Sequence, residues 1–365
     1  MAAGSWFDWT TGDLVTEAKF QDIQDSILFI YASDAAANSA LTNKVEGTVY
    51  FNTTDDVLKV WDGSAWLEVG GVDTFDVDFL VIGGGGAGAG NETNNHFYGS
   101  GGGGAGGYRT SYGSGSISGG NSEVETAYKV LADGTTTYTV TVGAGSGTNL
   151  ILGSNSVFDE IISYGGGSND LVIGSKGNTG ASGSGNGSGG STKIGYGLTG
   201  QGSNGGSSTA QAGSGGGGAS AVGGNCTNYA APGAGGNGQS SSITGSAVTR
   251  AGGGGGAAGF TGTGASGGTG GGGDGADGAN GGNGITGSNG TVNTGGGGGG
   301  GSGANGTGVH SSNSNGGSGV VILRWATADA TIGATRTGLT DGGVQTDGSD
   351  SYIVFTAGTG NITFS

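Results

Sequence analysis

Two histidines, His96 and His310, one cysteine, Cys226, and two aspartates three residues apart, Asp274 and Asp277, are the side chains of this 365-residue chain most suited to catalysis or metal binding. Neither histidine stands in a motif with a nucleophile and an orienting acid. Cys226 lies beside Thr227 and Asn228, without the adjacent base or cation that activates a thiol. Asp274 and Asp277 fall one turn apart on a three-fold helix and with backbone oxygens could hold a hard cation. Two carboxylates are a thin set, and a solvated edge is the favoured reading. Asp55 and Asp56, the densest acids, sit in a turn-rich stretch, whereas a depolymerase needs paired acids in a groove. Gly83, Gly85 and Gly88 satisfy the letters of G-x-G-x-x-G after a strand. That fingerprint also needs a helix next and an acid about 20 residues on, and Asn91-Glu-Thr-Asn-Asn-His-Phe-Tyr followed by more glycine stands there instead. The expectation is a protein that is not an enzyme and uses no cofactor or metal.

Composition narrows the class. The chain has 98 glycines, one proline, one cysteine and a formal net charge of −17 from 10 Lys+Arg and 27 Asp+Glu. Collagen requires glycine at every third place with abundant proline, which a lone Pro232 forbids. A disulfide scaffold needs paired cysteines. Nucleic acid is not an expected partner, because an acidic surface repels phosphate. No apolar run reaches the ~18–20 residues of a membrane span, and no signal-peptide core follows Met1-Ala-Ala-Gly-Ser, so no membrane insertion is expected.

The charge is unevenly spread. Residues 1–78 carry 14 of the acids and three lysines, while residues 165–319 hold 63 glycines and as many acids as bases. We place boundaries at 1–75, 76–325 and 326–365. In the first segment Phe20, Ile23, Ile27 and Ile30 recur at helical spacing after Thr16. Gly47-Thr-Val-Tyr-Phe, Val57-Leu-Lys-Val-Trp and Ala65-Trp-Leu-Glu-Val then read as short strands around turns. So small an assembly buries little core alone, which predicts packing against other copies. Trp6, Trp9, Trp61 and Trp66 suit either a docking surface or a small core.

Glycine spacing carries the central expectation. Gly272, Gly275, Gly278, Gly281, Gly284, Gly287 and Gly290 repeat every three residues, as do Gly264, Gly267, Gly270 and Gly273 in another frame. Three residues per turn is the period of the polyproline-II helix, which has no internal hydrogen bonds. Its amides and carbonyls must pair with neighbouring chains, and an all-glycine edge lets backbones approach closely. The predicted fold is mainly β with a polyglycine-II helix sandwich, preceded by a short α-helical and β-hairpin N-terminal attachment segment. Val77–Ile82, Tyr138–Val142 and Val320–Trp325 are expected to share a β-sheet beneath the sandwich, and strands over 352–356 and 361–364 close the chain.

Four motifs in this order, Asp78-Phe-Leu-Val-Ile-Gly-Gly-Gly-Gly-Ala-Gly, Gly101-Gly-Gly-Gly-Ala-Gly-Gly-Tyr-Arg-Thr-Ser, Tyr138-Thr-Val-Thr-Val-Gly-Ala-Gly and Gly316-Gly-Ser-Gly-Val-Val-Ile-Leu-Arg-Trp, resemble the glycine-rich domain of tailed-bacteriophage tail-fibre and adhesin proteins. The opening Phe7-Asp-Trp-Thr-Thr-Gly-Asp-Leu-Val-Thr-Glu-Ala-Lys-Phe and Gly47-Thr-Val-Tyr-Phe-Asn-Thr-Thr-Asp-Asp-Val-Leu-Lys-Val-Trp-Asp-Gly-Ser-Ala-Trp are similar in type to the start of many fibre chains. Residues 91–98 read as an insertion in the family pattern, and the last 40 residues continue beyond the Arg-Trp strand. The resemblance implies a virion appendage, commonly homotrimeric, localised to the phage tail or particle surface. Its N-terminal segment would dock on a tail or capsid adaptor protein, with Trp6, Phe7, Trp9, Phe20, Ile23 and Ile27 as docking candidates. Its glycine body would meet a host surface glycan or outer-membrane protein.

Receptor contacts are expected in the stretches that interrupt glycine runs, where an aromatic face beside amides suits a sugar ring. The candidates are His96, Phe97, Tyr98, Tyr196, Asn228, Tyr229 and His310. Rival readings are a capsid or tail decoration fibre without receptor binding, an ice-binding protein and a disordered adhesive. An ordered glycine slab predicts that amide hydrogens between Gly252 and Gly308 exchange with deuterium far more slowly than those of a free peptide. Free-peptide exchange there would exclude the slab.

Overall fold

The computed structural model describes residues 29–55, 57–69, 74–90, 98–115, 117–169, 177–187, 193–280, 282–304 and 308–365. The chain divides into two compact units, Met1–Asp73 and Thr74–Ser365. Trp6, Phe7, Trp9, Phe20, Ile23 and Ile27, together with the helix expected around them, lie outside the described residues.

The first unit holds β1 (Phe29–Tyr31), α1 (Asp34–Ala40), β2 (Val49–Asn52), β3 (Val57–Trp61) and β4 (Trp66–Glu68), with sheet order β1-β2-β3-β4. Ile30, expected at the end of a helix, lies on a strand. Phe29, Ile30 and Tyr31 pair in parallel with Tyr50, Phe51 and Asn52, and aromatic and β-branched residues favour that surface. A separate helix, α1, follows β1. Asp34-Ala-Ala-Ala-Asn-Ser-Ala is rich in the best helix former, and the Ser33 hydroxyl caps it by accepting from the Ala36 amide at 3.2 Å. Tyr50 is fully buried, its ring edge-on to Trp66 at 4.7 Å, and Trp61 meets Trp66 at 5.3 Å. Trp66 is therefore a core residue.

The second unit is mainly β. Its large sheet runs in the order β10 (Ile161–Ser163), β9 (Ser156–Phe158), β8 (Tyr138–Val142), β16 (Asp350–Ile362), β13 (Val320–Ala326), β5 (Thr74–Ile82) and β6 (Tyr108–Thr110). β7 (Tyr128–Leu131) joins β5, and β14 (Leu339–Asp341) and β15 (Gln345–Asp347) join β16. The two ends of the path meet. Arg109 of β6 donates from Nη1 to the Ile162 carbonyl of β10 at 3.2 Å, so the sheet is a nearly closed barrel. The three strands expected to share a sheet do so, but β8 and β13 are separated by β16. Residues 326–365, set apart above as a C-terminal segment, thus supply a central strand, and the two expected strands at the C-terminus are largely one.

β13 shows why its sequence is an unbroken apolar run. Val321, Leu323 and Trp325 face a core with Phe79, Phe158, Phe355 and Phe364, while Val320 and Ile322 face a second core with Leu80, Ile82, Tyr108 and Ile243. Both faces are covered, as in any sheet buried on two sides. The cover on the second face is glycine chain, which turns Ala105, Ala219 and Ala251 toward the sheet.

The glycine runs bond to one another with a period of three. Along 252–258, Gly252, Gly255 and Ala258 donate to Gly270, Gly273 and Ala276 at 3.2, 2.9 and 2.9 Å. Gly253 and Gly256 donate to Gly236 and Gly233, both at 2.9 Å, and Gly254 and Ala257 donate to Gly103 and Ser100, again both at 2.9 Å. The run 252–258 therefore bonds three neighbours in rotation, the first ascending with it and the other two descending. The spacing leaves no room for side chains. A Cβ on Gly254 would lie well under 3.0 Å from the Gly298 carbonyl, and one on Gly103 equally close to the Gly86 carbonyl. Gly254→Val is expected to lower stability by about 3 kcal/mol or more through overpacking and lost backbone bonds, read as a fall in the thermal midpoint. A midpoint unchanged to within a degree would contradict the packing.

Candidate functional site

Runs 83–90, 252–259, 271–278 and 295–303 lead away from the large sheet, and runs 99–107, 213–219, 233–238, 264–270 and 284–290 return to it. At the extended-chain rise of ~3.1–3.4 Å per residue, a seven-residue run carries its far turn about 20 Å out. The far turns meet. Gly303 donates to the Tyr98 carbonyl at 3.0 Å, Gly99 to Gln211 at 2.9 Å and Gly259 to Tyr229 at 3.0 Å. Asn280 donates to Phe260 and Gly284 to Val309, each at 2.8 Å. These bonds join the described residues of the turns at 207–212, 225–232, 259–263, 279–280, 282–284, 303–304 and 308–310 into one platform.

Tyr98, Asn228, Tyr229 and His310, drawn from three separate stretches of sequence, belong to this platform. His96 and Phe97 lie outside the described residues. Tyr196 is 61% exposed, but its carbonyl accepts from Gly180 at 3.2 Å partway along a run, so it stands apart. Gln211, Phe260, Asn280 and Asn283 join the platform without having been singled out. Their only signal was position at the turning points between glycine runs. The described residues of the platform include no Asp, Glu, Lys or Arg. Tyr229 is 54% exposed, and Asn228 shapes its turn by accepting from Ala230 at Oδ1 and from Ala231 at its carbonyl, at 3.0 and 3.2 Å. Buried Cys226 donates its thiol to the Asn228 carbonyl at 3.3 Å. Exposed amides, hydroxyls and an aromatic ring can stack on and hydrogen-bond a neutral ligand.

Asp274 and Asp277 serve the scaffold. Their Oδ1 atoms accept from the Gly267 and Gly264 amides, both at 2.8 Å. The same device recurs where a run lies at the rim and lacks a backbone partner. Asn283, Thr286 and Asn289 accept from Val309, Ser312 and Asn315 at 3.0, 3.1 and 2.7 Å, stepping by three on both chains. Among the described residues, no cluster of His, Cys, Asp or Glu could hold a metal ion, and no helix is long and apolar enough to cross a membrane.

The first unit contains a polar network centred on Asp34. Asp34 accepts from the Tyr50 hydroxyl, from Asn52 at 3.4 Å and from Lys59, whose Nζ lies 3.0 Å from Oδ1. Burial pushes the Asp34 carboxyl up, but the hydrogen bonds from Tyr50 and Lys59 and the charge of Lys59 outweigh it and hold the group below its ordinary value. Burial and then Asp34 push Tyr50 up to about 12. The hydrogen bond to Asp34 raises Lys59.

A family model described as a glycine-rich domain matches residues 69–326. No curated protein and no solved structure matches the chain. The network around Asp34 makes a pH prediction. Its carboxylate contribution is complete above the ordinary value of 3.8 and is lost as pH falls through the lower folded value. The Tyr50 contribution is lost as pH rises from 10.0 toward about 12. Asp34→Asn should flatten the acid limb of the first unit's stability profile, followed by tryptophan fluorescence. An acid limb identical in wild type and variant would show that Asp34 does not set it.

Proposed function

This chain belongs to the glycine-rich domain family over residues 69–326, and from that premise we propose that it is a non-enzymatic virion fibre or adhesin of a tailed bacteriophage. The phage assignment rests on the resemblance of the motifs at Phe7 and Gly47 and of the ordered glycine motifs to fibre chains. We further propose that the glycine runs form a polyglycine-II sandwich. The three-residue rotation of hydrogen-bond partners along 252–258 supports it, as does the exclusion of any Cβ at Gly103 and Gly254. Residues 1–75 attach to a tail or capsid adaptor, and copies of the chain assemble, as a trimer in this reading. The particle surface is the location.

The observation that carries the adhesin role is the convergence of the far turns into one platform whose described residues carry no charge. A rigid scaffold positions variable loops for recognition. Tyr98, Tyr229, Asn228, Gln211 and His310 then form a receptor-facing surface suited to a neutral host glycan, stacked on aromatic rings and held by amides. Replacing Tyr98 and Tyr229 together with alanine should cut adsorption to host cells by about tenfold or more, the effect of losing anchors of about 1–2 kcal/mol. The thermal midpoint should stay unchanged, because both side chains lie outside the cores. Full adsorption after every platform turn is altered would exclude the adhesin role and favour a decoration fibre.

A further inference from the structure

The arginines of the second unit follow a rule with one exception. Arg324 binds Asp347 and Asp350 at 2.9 Å each, Arg336 binds Asp341 at 2.9 Å, and Arg109 is forked on Glu125. A guanidinium drawn out of water is costly unless a counter-charge meets it, and these three are met. Arg250 is not. It ends β12 (Val248–Arg250), opposite Gln239 of β11 (Gln239–Ser241), and no carboxylate among the described residues pairs with it. Asp274 and Asp277 are exposed and committed to the Gly267 and Gly264 amides.

Arg250 Nη1 is buried with no hydrogen-bond partner. So is the hydroxyl of Tyr108, a side chain with 0% exposure. Tyr108 packs in the sheet-side core with Ile243 and with Ala251, the residue after Arg250. The Arg250 charge acts on the phenol, as does the Ser241 hydroxyl, which the pairing of Gln239 with Arg250 and of Ser241 with Val248 sets on the same face of the hairpin as Arg250. Burial pushes Tyr108 up to about 12, so it keeps its proton at neutral pH and offers a donor. Burial also lowers Arg250, yet a guanidinium remains charged in proteins. A partly buried cation with a buried Nη1 and a fully buried hydroxyl donor thus lie near each other, and no carboxylate among the described residues pairs with the cation. Native proteins seldom leave such groups unmatched.

We propose that the niche between Arg250, Tyr108 and Ser241, under the β11–β12 hairpin, binds a small monovalent anion of halide size. The ion accepts from Arg250 Nη1 and from the Tyr108 hydroxyl and supplies the counter-charge that the chain omits. Because both donors are buried, a bulky or strongly hydrated anion is excluded. The site ties the hairpin to the sheet and so couples ion binding to stability.

The probe is sodium bromide, applied to the full chain. Crystals grown with it should show an anomalous bromide peak within hydrogen-bonding reach of Arg250 Nη1 and Tyr108 Oη. In solution, each tenfold rise in bromide above its dissociation constant should raise the thermal midpoint by about 2 °C relative to sodium fluoride at equal ionic strength. Tyr108→Phe should weaken that dependence, and Arg250→Met should abolish it. Equal dependence in wild type and Arg250→Met would overturn the proposal. A water without anomalous signal at the niche would do so equally, whatever the folding yield of the variants.

Discussion

An α-carbon without a side chain, seated against the carbonyl of the next chain, is the contact on which the second unit depends. At Gly103 and Gly254 the neighbouring oxygen already occupies the place of a Cβ. This closeness allows one run to bond three others in turn. Order among glycines is entropically expensive, and no single run could persist without those partners. Cooperation among many runs replaces the interlocking of apolar side chains.

Other features follow from that contact. A body whose interior is backbone has little place for charge, and its aspartates Asp274 and Asp277 stand exposed at an edge. Where a run ends the stack, no carbonyl of a further chain is available, and Asp274, Asp277, Asn283, Thr286 and Asn289 provide a side-chain oxygen instead. The rim is thereby closed against further strand addition, as exposed sheet edges must be. Alanine appears where a run turns toward the apolar sheet, as at Ala105 and Ala251. Only the turns escape these constraints, so variety of side chain gathers there.

Much of this was legible in the residues. Alternation located β2, β3, β4 and β8, and the unbroken run at 320–325 announced a strand buried on both faces. The triplet spacing announced a three-fold hydrogen-bond cycle but was silent on direction, because glycine spacing reads the same in parallel and antiparallel neighbours. The placement of β16 between β8 and β13 was also hidden, since pairing over more than 200 residues leaves no local trace. Ile30 continued a helical spacing that the pairing of Phe29–Tyr31 with Tyr50–Asn52 overrode. Asp274 and Asp277 looked like a free edge, because the amides they cap belong to a run seven and thirteen residues earlier in the chain. The convergence of Tyr98, Tyr229 and His310 required knowing which turns share an end, a property of the whole path.

The rotation of partners in threes also constrains how such a gene can change length. Removing one or two residues from a run turns everything beyond the cut by about a third or two-thirds of a revolution, driving Cβ atoms into carbonyls. Removing three restores every facing and merely shortens the reach. Viable length variants within the runs should therefore come in steps of nine nucleotides, a ratchet that the turns do not share.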